Sequence, residues 1–259
     1  MLYKTLGLSE NEMISVVGGG GKTSIVFRLA RELHMHGKNV LISTTTKIYL
    51  PQGSDLTIII EENEELVSQR IFEAASHLRG NKAARILVLG KKIFPDGKVA
   101  GVEPETLGRI FDEKLMNYVI IEADGAKQKP IKAPAEYEPL IPNQTRVVLG
   151  VIGIDAACKP LTDKFFHRPQ IICEKLGYAY GASIDDDLIA FLVKWEQGLF
   201  KNVPSSARKV LIINKIDGKE QQKRAERIAG RVIEDNGEYR PDTIILTSAI
   251  SENPVVRVF

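Results

Sequence analysis

"SVVGGGGKTS", Ser15 to Ser24, is the stretch on which the fold turns. Four glycines follow a short apolar run and lead into Lys-Thr-Ser. A phosphate-binding loop usually reads G-x-x-x-x-G-K-S/T, which asks for a glycine at position 16, where this chain has Val16. A shorter form, G-x-x-G-K-T, is carried by Mur ligases and fits Gly18 to Thr23. In it Gly18, Gly19, Gly20 and Gly21 let backbone N–H groups approach phosphate oxygens closely. A helix beginning at Lys22 adds the partial positive charge of its N-terminus. Lys22 then neutralises the β- and γ-phosphates, the Thr23 hydroxyl ligates Mg2+, and Ser24 completes the nucleotide-binding stretch.

Working outward, short β-branched runs alternate with longer helix-like segments. "MISVV" leads into the glycines, and Ile25, Leu29 and Leu33 then recur four apart, with Gly37 as a helix stop. "NVLIS", "DLTIII", "ARILVLG", "NYVIIEADG", "RVVLGVIG", "RKVLIINKID" and "DTIILTSA" are further strand candidates. Helices are expected from Glu62 to about His77 and from Gly218 to about Asp235. "KKIFPDGKVAG" reads as a hairpin with Asp96-Gly97 at its tip. The pattern predicts an α/β, phosphate-loop NTPase-like fold: a mainly parallel sheet with helices on both faces. We expect one domain over residues 1–259, with a small inserted segment at about 51–112.

A formal net charge of +2 with no basic cluster gives no reason to expect nucleic acid as a partner. The N-terminal stretch lacks a signal-peptide layout, and no apolar run reaches membrane-spanning length, so a cytoplasmic protein without a membrane partner is expected. Cys158 and Cys173 are too few for a disulfide framework and lack metal-ligand spacing. Cys158 reads as a buried thiol. The histidines at 34, 36 and 77 fall on helix candidates and read as surface residues.

A phosphate loop needs a carboxylate at a neighbouring strand end to hold or orient magnesium. "YVIIEADGAK" offers Glu122 and, two residues on, Asp124. With Lys22 these are the catalytic candidates, and with Thr23 the metal candidates; the spacing leaves open which acid serves the metal. The GTPase pattern D-x-x-G is not met, since position 127 is Lys127. Thr44, Thr45 and Thr46 could bring a hydroxyl to the metal or the γ-phosphate.

"VLIINKIDG" places Asn214, Lys215 and Asp217 directly after a strand, in the N-K-x-D pattern that reads guanine in GTPases. There the aspartate accepts from the guanine ring N–H and amine, the lysine stem lies along the base, and the asparagine braces the loop. Adenine offers the opposite pattern, and a buried Asp217 would be left unpaired against it, at a cost of about 1–3 kcal/mol. Some thirty residues on, Ser248-Ala249 resembles the GTPase element that contacts the guanine O6. GTP is therefore expected over ATP. "DGAKQKPIKAPAEYEPLIP" is proline-punctuated, and its Lys127, Lys129 and Lys132 could contact phosphates or an anionic partner. His167 and Arg168 of "DKFFHRPQ" could touch nucleotide or substrate, or be structural.

Taken together, "GGGGKTS", "STTTKIYLP", "IEADGAKQKPIKAPAEYEPLIP", "HRP" and "INKID" resemble the YqeC family, named as accessory proteins of selenium-dependent hydroxylases. The resemblance runs from Gly18 to Asp217. It implies a phosphate-loop NTPase associated with maturation of a selenium-dependent molybdenum hydroxylase, with that hydroxylase or its maturation machinery as partner. The family segment often has Arg where this chain has Lys127 and Lys129, which keeps the charge but weakens bidentate anion contact. Two other activities fit the same motifs: an ATP- or GTP-dependent ligase, kinase or nucleotidyltransferase, and a nucleotide sensor that does not hydrolyse.

Overall fold

The computed structural model describes residues 1–79, 86–234 and 237–259, leaving aside the side chains of residues 77–79. Helix α1 (Leu2–Thr5) precedes strand β1 (Glu12–Gly18), and the glycines carry β1 into α2 (Lys22–Met35). Strands β2 (Val40–Thr44), β3 (Ile48–Tyr49) and β4 (Leu56–Ile60) follow, then α3 (Val67–Arg79) and β5 (Ile86–Gly90). Next come β6 (Lys98–Val99), α4 (Pro104–Asp112), β7 (Tyr118–Glu122), β8 (Ile131–Lys132) and β9 (Val147–Gly153). Strand β10 (Phe166–His167) leads into α5 (Pro169–Leu176) and α6 (Asp186–Lys194). The chain closes with β11 (Arg208–Asn214), α7 (Lys219–Ile233), β12 (Thr243–Thr247) and β13 (Val255–Val258).

Nine strands form one sheet in the order β13-β12-β11-β9-β1-β7-β2-β5-β4. Every neighbour pair is parallel except β12 with β13. Continuous apolar runs suit strands covered on both faces, because successive side chains point to opposite sides. Met13 and Val17 of β1 enter one core with Val119, Ile121, Leu211 and Ile213, and helices α3 to α7 cover that face. Ile14 and Val16 enter the other, where Ile25, Leu29 and Leu33 of α2 and Leu2 and Leu6 pack on Ile120 and Ile212. The expected α/β architecture is therefore present.

Residues 51–112 supply β4 and β5, which extend one edge of this sheet, and β6, which pairs with β3 just ahead of the segment. The hairpin around Asp96-Gly97 forms, with Phe94 N–H donating to Lys98 O at 2.7 Å. The helix expected from Glu62 starts five residues later, at Val67, after a turn in which the Asn63 side chain accepts from Glu65 N–H. Cys158 is a correction: it is exposed, in a surface stretch with Lys159 and Pro160, and Arg224 donates to its sulfur. Ala84 and Arg85, the His77 side chain and Asp235 lie outside the described residues. No helix among the described residues is long and apolar enough to cross a membrane.

Candidate functional site

Strand β1 lies between β7 and β9, with Val16 in register with Glu122 and Gly18 with Val151. Thr44 of β2 is level with Glu122, and Asn214 of β11 with Gly153. The carboxyl ends of five parallel strands thus meet at one edge, the position where open α/β sheets bind ligands. The glycines are demanded by contact as well as by dihedral angle. Gly20 has φ 72°, and a Cβ there would stand 1.9 Å from Gly153 N; at Gly18, φ 95°, it would stand 2.3 Å from Val151 O. The loop is laced to its surroundings: Gly19 N–H donates to Val151 O at 2.9 Å and Gly20 N–H to Lys129 O at 3.0 Å. The first turn of α2, starting at Lys22, has N–H groups with no intrahelical acceptor, which is where an anion gains most.

The two acids separate in their contacts. Thr23 Oγ1 donates to Glu122 Oε2 at 2.9 Å. Both Asp124 oxygens accept from Gly18 N–H, at 3.1 and 2.9 Å. Lys22 Nζ lies between them, 3.1 Å from Asp124 Oδ1 and 3.5 Å from Glu122 Oε1, and donates to Gly18 O at 2.7 Å. Burial by itself would lower the Lys22 ammonium's pKa, but Asp124 and Glu122 outweigh it and raise it. The hydroxyl–carboxylate pair of Thr23 and Glu122 suits Mg2+, which takes one or two protein oxygens beside phosphate oxygens and water. No group of three or more His, Cys, Asp or Glu side chains set to hold a metal occurs among the described residues.

Beyond Asp124 runs a row of paired charges, of which Lys132 and Glu138 are buried. Lys132 Nζ is 3.1 Å from Asp124 Oδ2, and it donates to Gly125 O at 2.7 Å and to Glu138 Oε2 at 2.5 Å. Glu138 also takes both Arg168 amino groups, at 2.5 and 3.2 Å. Burial alone would raise the Glu138 carboxyl, yet Arg168 and Lys132 hold it at about 2. Lys132 is therefore an internal counter-ion, while Lys127 stays exposed. Lys201 and Asn202 fasten the segment from outside, donating to the carbonyls of Ala135, Glu136, Glu138 and Pro139. The proline-punctuated stretch includes β8, paired with β10.

The threonine loop turns mostly to backbone. Thr44 Oγ1 donates within reach of Glu122 O (2.9 Å) and Thr46 O (3.1 Å), and Thr45 Oγ1 donates to Leu140 O at 2.9 Å. Thr46 Oγ1 is enclosed without a hydrogen-bond partner.

On the other side of the loop, Asn214 Nδ2 donates to Gly20 O at 2.9 Å. Its Oδ1 accepts from Thr247 Oγ1 and Ala249 N–H, both at 3.0 Å. Asp217 Oδ1 accepts from Ser248 Oγ at 2.8 Å, and Lys215 pairs with Asp155 at 2.7 Å. Asp217 is exposed, a correction to the expected burial: a base would itself have to cover it to make a mismatch costly. Between α2 and Ala249 opens a cavity of about 620 Å3, lined by Thr23, Ser24, Phe27, Tyr49, Ala249 and Ile250 among others. It links the start of α2 to the turn at Ser248-Ala249.

Comparison with known proteins gives three findings. Residues 14–170 match the family described as "YqeC protein". The chain is 33% identical over 204 residues to the uncharacterized protein YqeC of Escherichia coli (strain K12), covering 78% of this chain and 75% of that protein. Among solved structures it is similar to a GTPase in apo form from Pyrococcus abyssi. That likeness spans 94% of this chain and 92% of the other at 15% identity and a TM-score of 0.42, too weak to decide anything about this chain.

Proposed function

From the premise that this chain belongs to the YqeC family, we propose that it is a cytoplasmic, Mg2+-dependent nucleoside triphosphatase selective for GTP. In this reading it serves the maturation of a selenium-dependent molybdenum hydroxylase. The whole chain acts as one domain, with residues 51–112 an elaboration of one sheet edge. The observation that carries the nucleotide reading is the convergence of Thr23–Glu122, Lys22 and Asn214 around four closely packed glycines.

Phosphates lie over Gly18 to Thr23, against the free N–H groups at the start of α2. Lys22 turns from Asp124 and Glu122 to the phosphate oxygens, exchanging two carboxylates for a more highly charged partner. Thr23 and Glu122 hold Mg2+, which when bound neutralises developing charge on the phosphates. Asp124, tied to Gly18 N–H, positions Lys22 and the loop. The nucleoside enters the cavity by Ser24 and Phe27, with the Ser248-Ala249 turn and Asp217 toward the base and Asn214 fixing both turns. The hydroxylase role rests on the family's association alone.

Calorimetric titration with Mg–GTP and Mg–ATP, on the parent and on Asp217→Asn, tests this. Tight GTP binding that falls about 10- to 100-fold in Asp217→Asn is expected, from the loss of one to two buried hydrogen bonds. ATP bound as well as GTP, and indifferent to the change, would overturn the guanine assignment. A second reading, group transfer to a small acceptor, is favoured by the short Gly18–Thr23 form shared with Mur ligases; it predicts fast turnover only when an acceptor is present.

A further inference from the structure

The β8–β10 ribbon beside the phosphate loop carries one polar side chain for which the nucleotide reading has no use. Ile131 is in register with Phe166 and Lys132 with His167 in this parallel pair. Partners in parallel register project to the same face, and alternate residues to opposite faces. Ile131 and Phe166 enter the main core, so Lys132 and His167 share the other face, the one on which Lys132 meets Asp124 at 3.1 Å. His167 is only 9% exposed, and its ring makes no hydrogen bond among the described residues. The ring nitrogens are not among the fully enclosed unpaired polar atoms, so while they pair with no protein group they stay within reach of a ligand.

Its surroundings indicate what partner would suit it. Burial first, then Arg168 and Lys132, pushes the ring's pKa down to about 4, with Lys127 acting the same way and Glu138 opposing. The ring is therefore neutral at pH 7, with one N–H to donate, and it stands among more cations than anions. That is a setting for an oxyanion. The same carboxylate, Asp124, touches Lys132 through Oδ2 and Lys22 through Oδ1, each at 3.1 Å. Two side chains, Lys132 and Asp124, thus link the His167 position to the lysine assigned to the nucleotide phosphates.

We propose that His167, flanked by Lys132, Arg168 and Lys127, forms an oxyanion subsite next to the phosphate loop. It receives a phosphate or carboxylate group, from the nucleotide's terminal phosphate or from an anionic second substrate. This placement rests on the reading of Gly18 to Thr23 as the phosphate site.

Inorganic phosphate is the probe, titrated into the full chain while the histidine ring nitrogens are followed by NMR at fixed pH. The His167 resonances, identified by their loss in His167→Gln, should shift saturably. Phosphate affinity should fall at least tenfold in His167→Phe, by more than any change in Mg–GDP affinity, and recover in part in His167→Gln, which restores an N–H donor. His167 resonances unmoved at phosphate saturation, or His167→Phe binding phosphate as tightly as the parent, would overturn the subsite. Phosphate displaced by Mg–GTP but not by Mg–GDP would assign it to the terminal phosphate; phosphate bound alongside Mg–GTP would assign it to a second substrate. Failure of the nucleotide reading shows separately, as a parent that binds no nucleotide by calorimetry while His167 still responds to phosphate.

Discussion

Asn214 donates from its carboxamide to the Gly20 carbonyl at 2.9 Å, so one buried side chain fastens the turn after β11 to the phosphate loop. Its oxygen holds Thr247 and Ala249 N–H at the end of β12. Asn214→Ala would leave these three groups short of a partner, and buried groups so stranded cost about 1–3 kcal/mol each before relaxation. We expect a total loss of about 2–4 kcal/mol in urea denaturation, with weaker binding of any nucleotide. Unchanged stability would mean that the two turns are held together by other contacts.

By its place in the motif alone, Lys22→Ala should lose nucleotide and spare the fold. The buried pairs with Asp124 and Glu122 change that expectation. Removing one partner from a buried ion network costs about 3–5 kcal/mol, and Lys132, still on Asp124, should keep this variant at the low end. Calorimetry and denaturation on the same preparation separate the two effects. GTP bound by a folded Lys22→Ala as tightly as by the parent would remove the phosphate-loop assignment.

Glu122 and Asp124 should differ in kind. Glu122→Gln keeps a hydrogen-bond acceptor for Thr23 but removes the charge beside its hydroxyl. The Mg2+ concentration needed for half-maximal GTP binding should rise about 10-fold or more. An unchanged requirement would move the metal role away from the Thr23–Glu122 pair.

Acid should weaken the fold in two stages. The His167 ring is held at about 4 against 6.5 in the unfolded chain, first by burial and then by Arg168 and Lys132. Unfolded chains therefore take up this proton between those values while the fold refuses it, so His167's contribution is complete above pH 6.5 and lost as pH falls toward 4. Glu138, despite burial, is held at about 2 against 4.5 by Arg168 and Lys132. Its contribution is complete above pH 4.5 and lost toward pH 2. Each is worth about 3 kcal/mol at full extent. Denaturation midpoints of His167→Asn should flatten between pH 4 and 6.5, and those of Glu138→Gln below 4.5; curves parallel to the parent's would refute the assignment.

Much of the fold was legible because its signals are local. The apolar runs of β1, β7, β9 and β11 announce strands covered on both faces, and the four-residue spacing of Ile25, Leu29 and Leu33 announces the face of α2. The glycines before Lys22 mark a strand-to-helix turn. The helix at 62 was placed too early because its acidic start resembles a first turn, while Asn63 and Glu65 form a turn of their own. Cys158 differs from its expected burial because it lies in an exposed stretch, Cys158 to Pro160, and position in the fold, not residue type, sets exposure.

By itself, then, the sequence determined the strand–glycine–helix unit, the alternation that makes a parallel sheet, and the identity of the polar residues at the strand ends. Tertiary structure alone decided how those residues divide their partners. Sheet order brings Glu122 to Thr23 and Asp124 to Gly18 N–H. It runs Lys132, Glu138 and Arg168 into one row of ion pairs and leaves Asp217 in the open. Spacing along a chain fixes which side chains share a strand or helix face. Hydrogen bonds and ion pairs between residues tens of positions apart depend on which strands lie side by side, and that is set by packing the whole sheet.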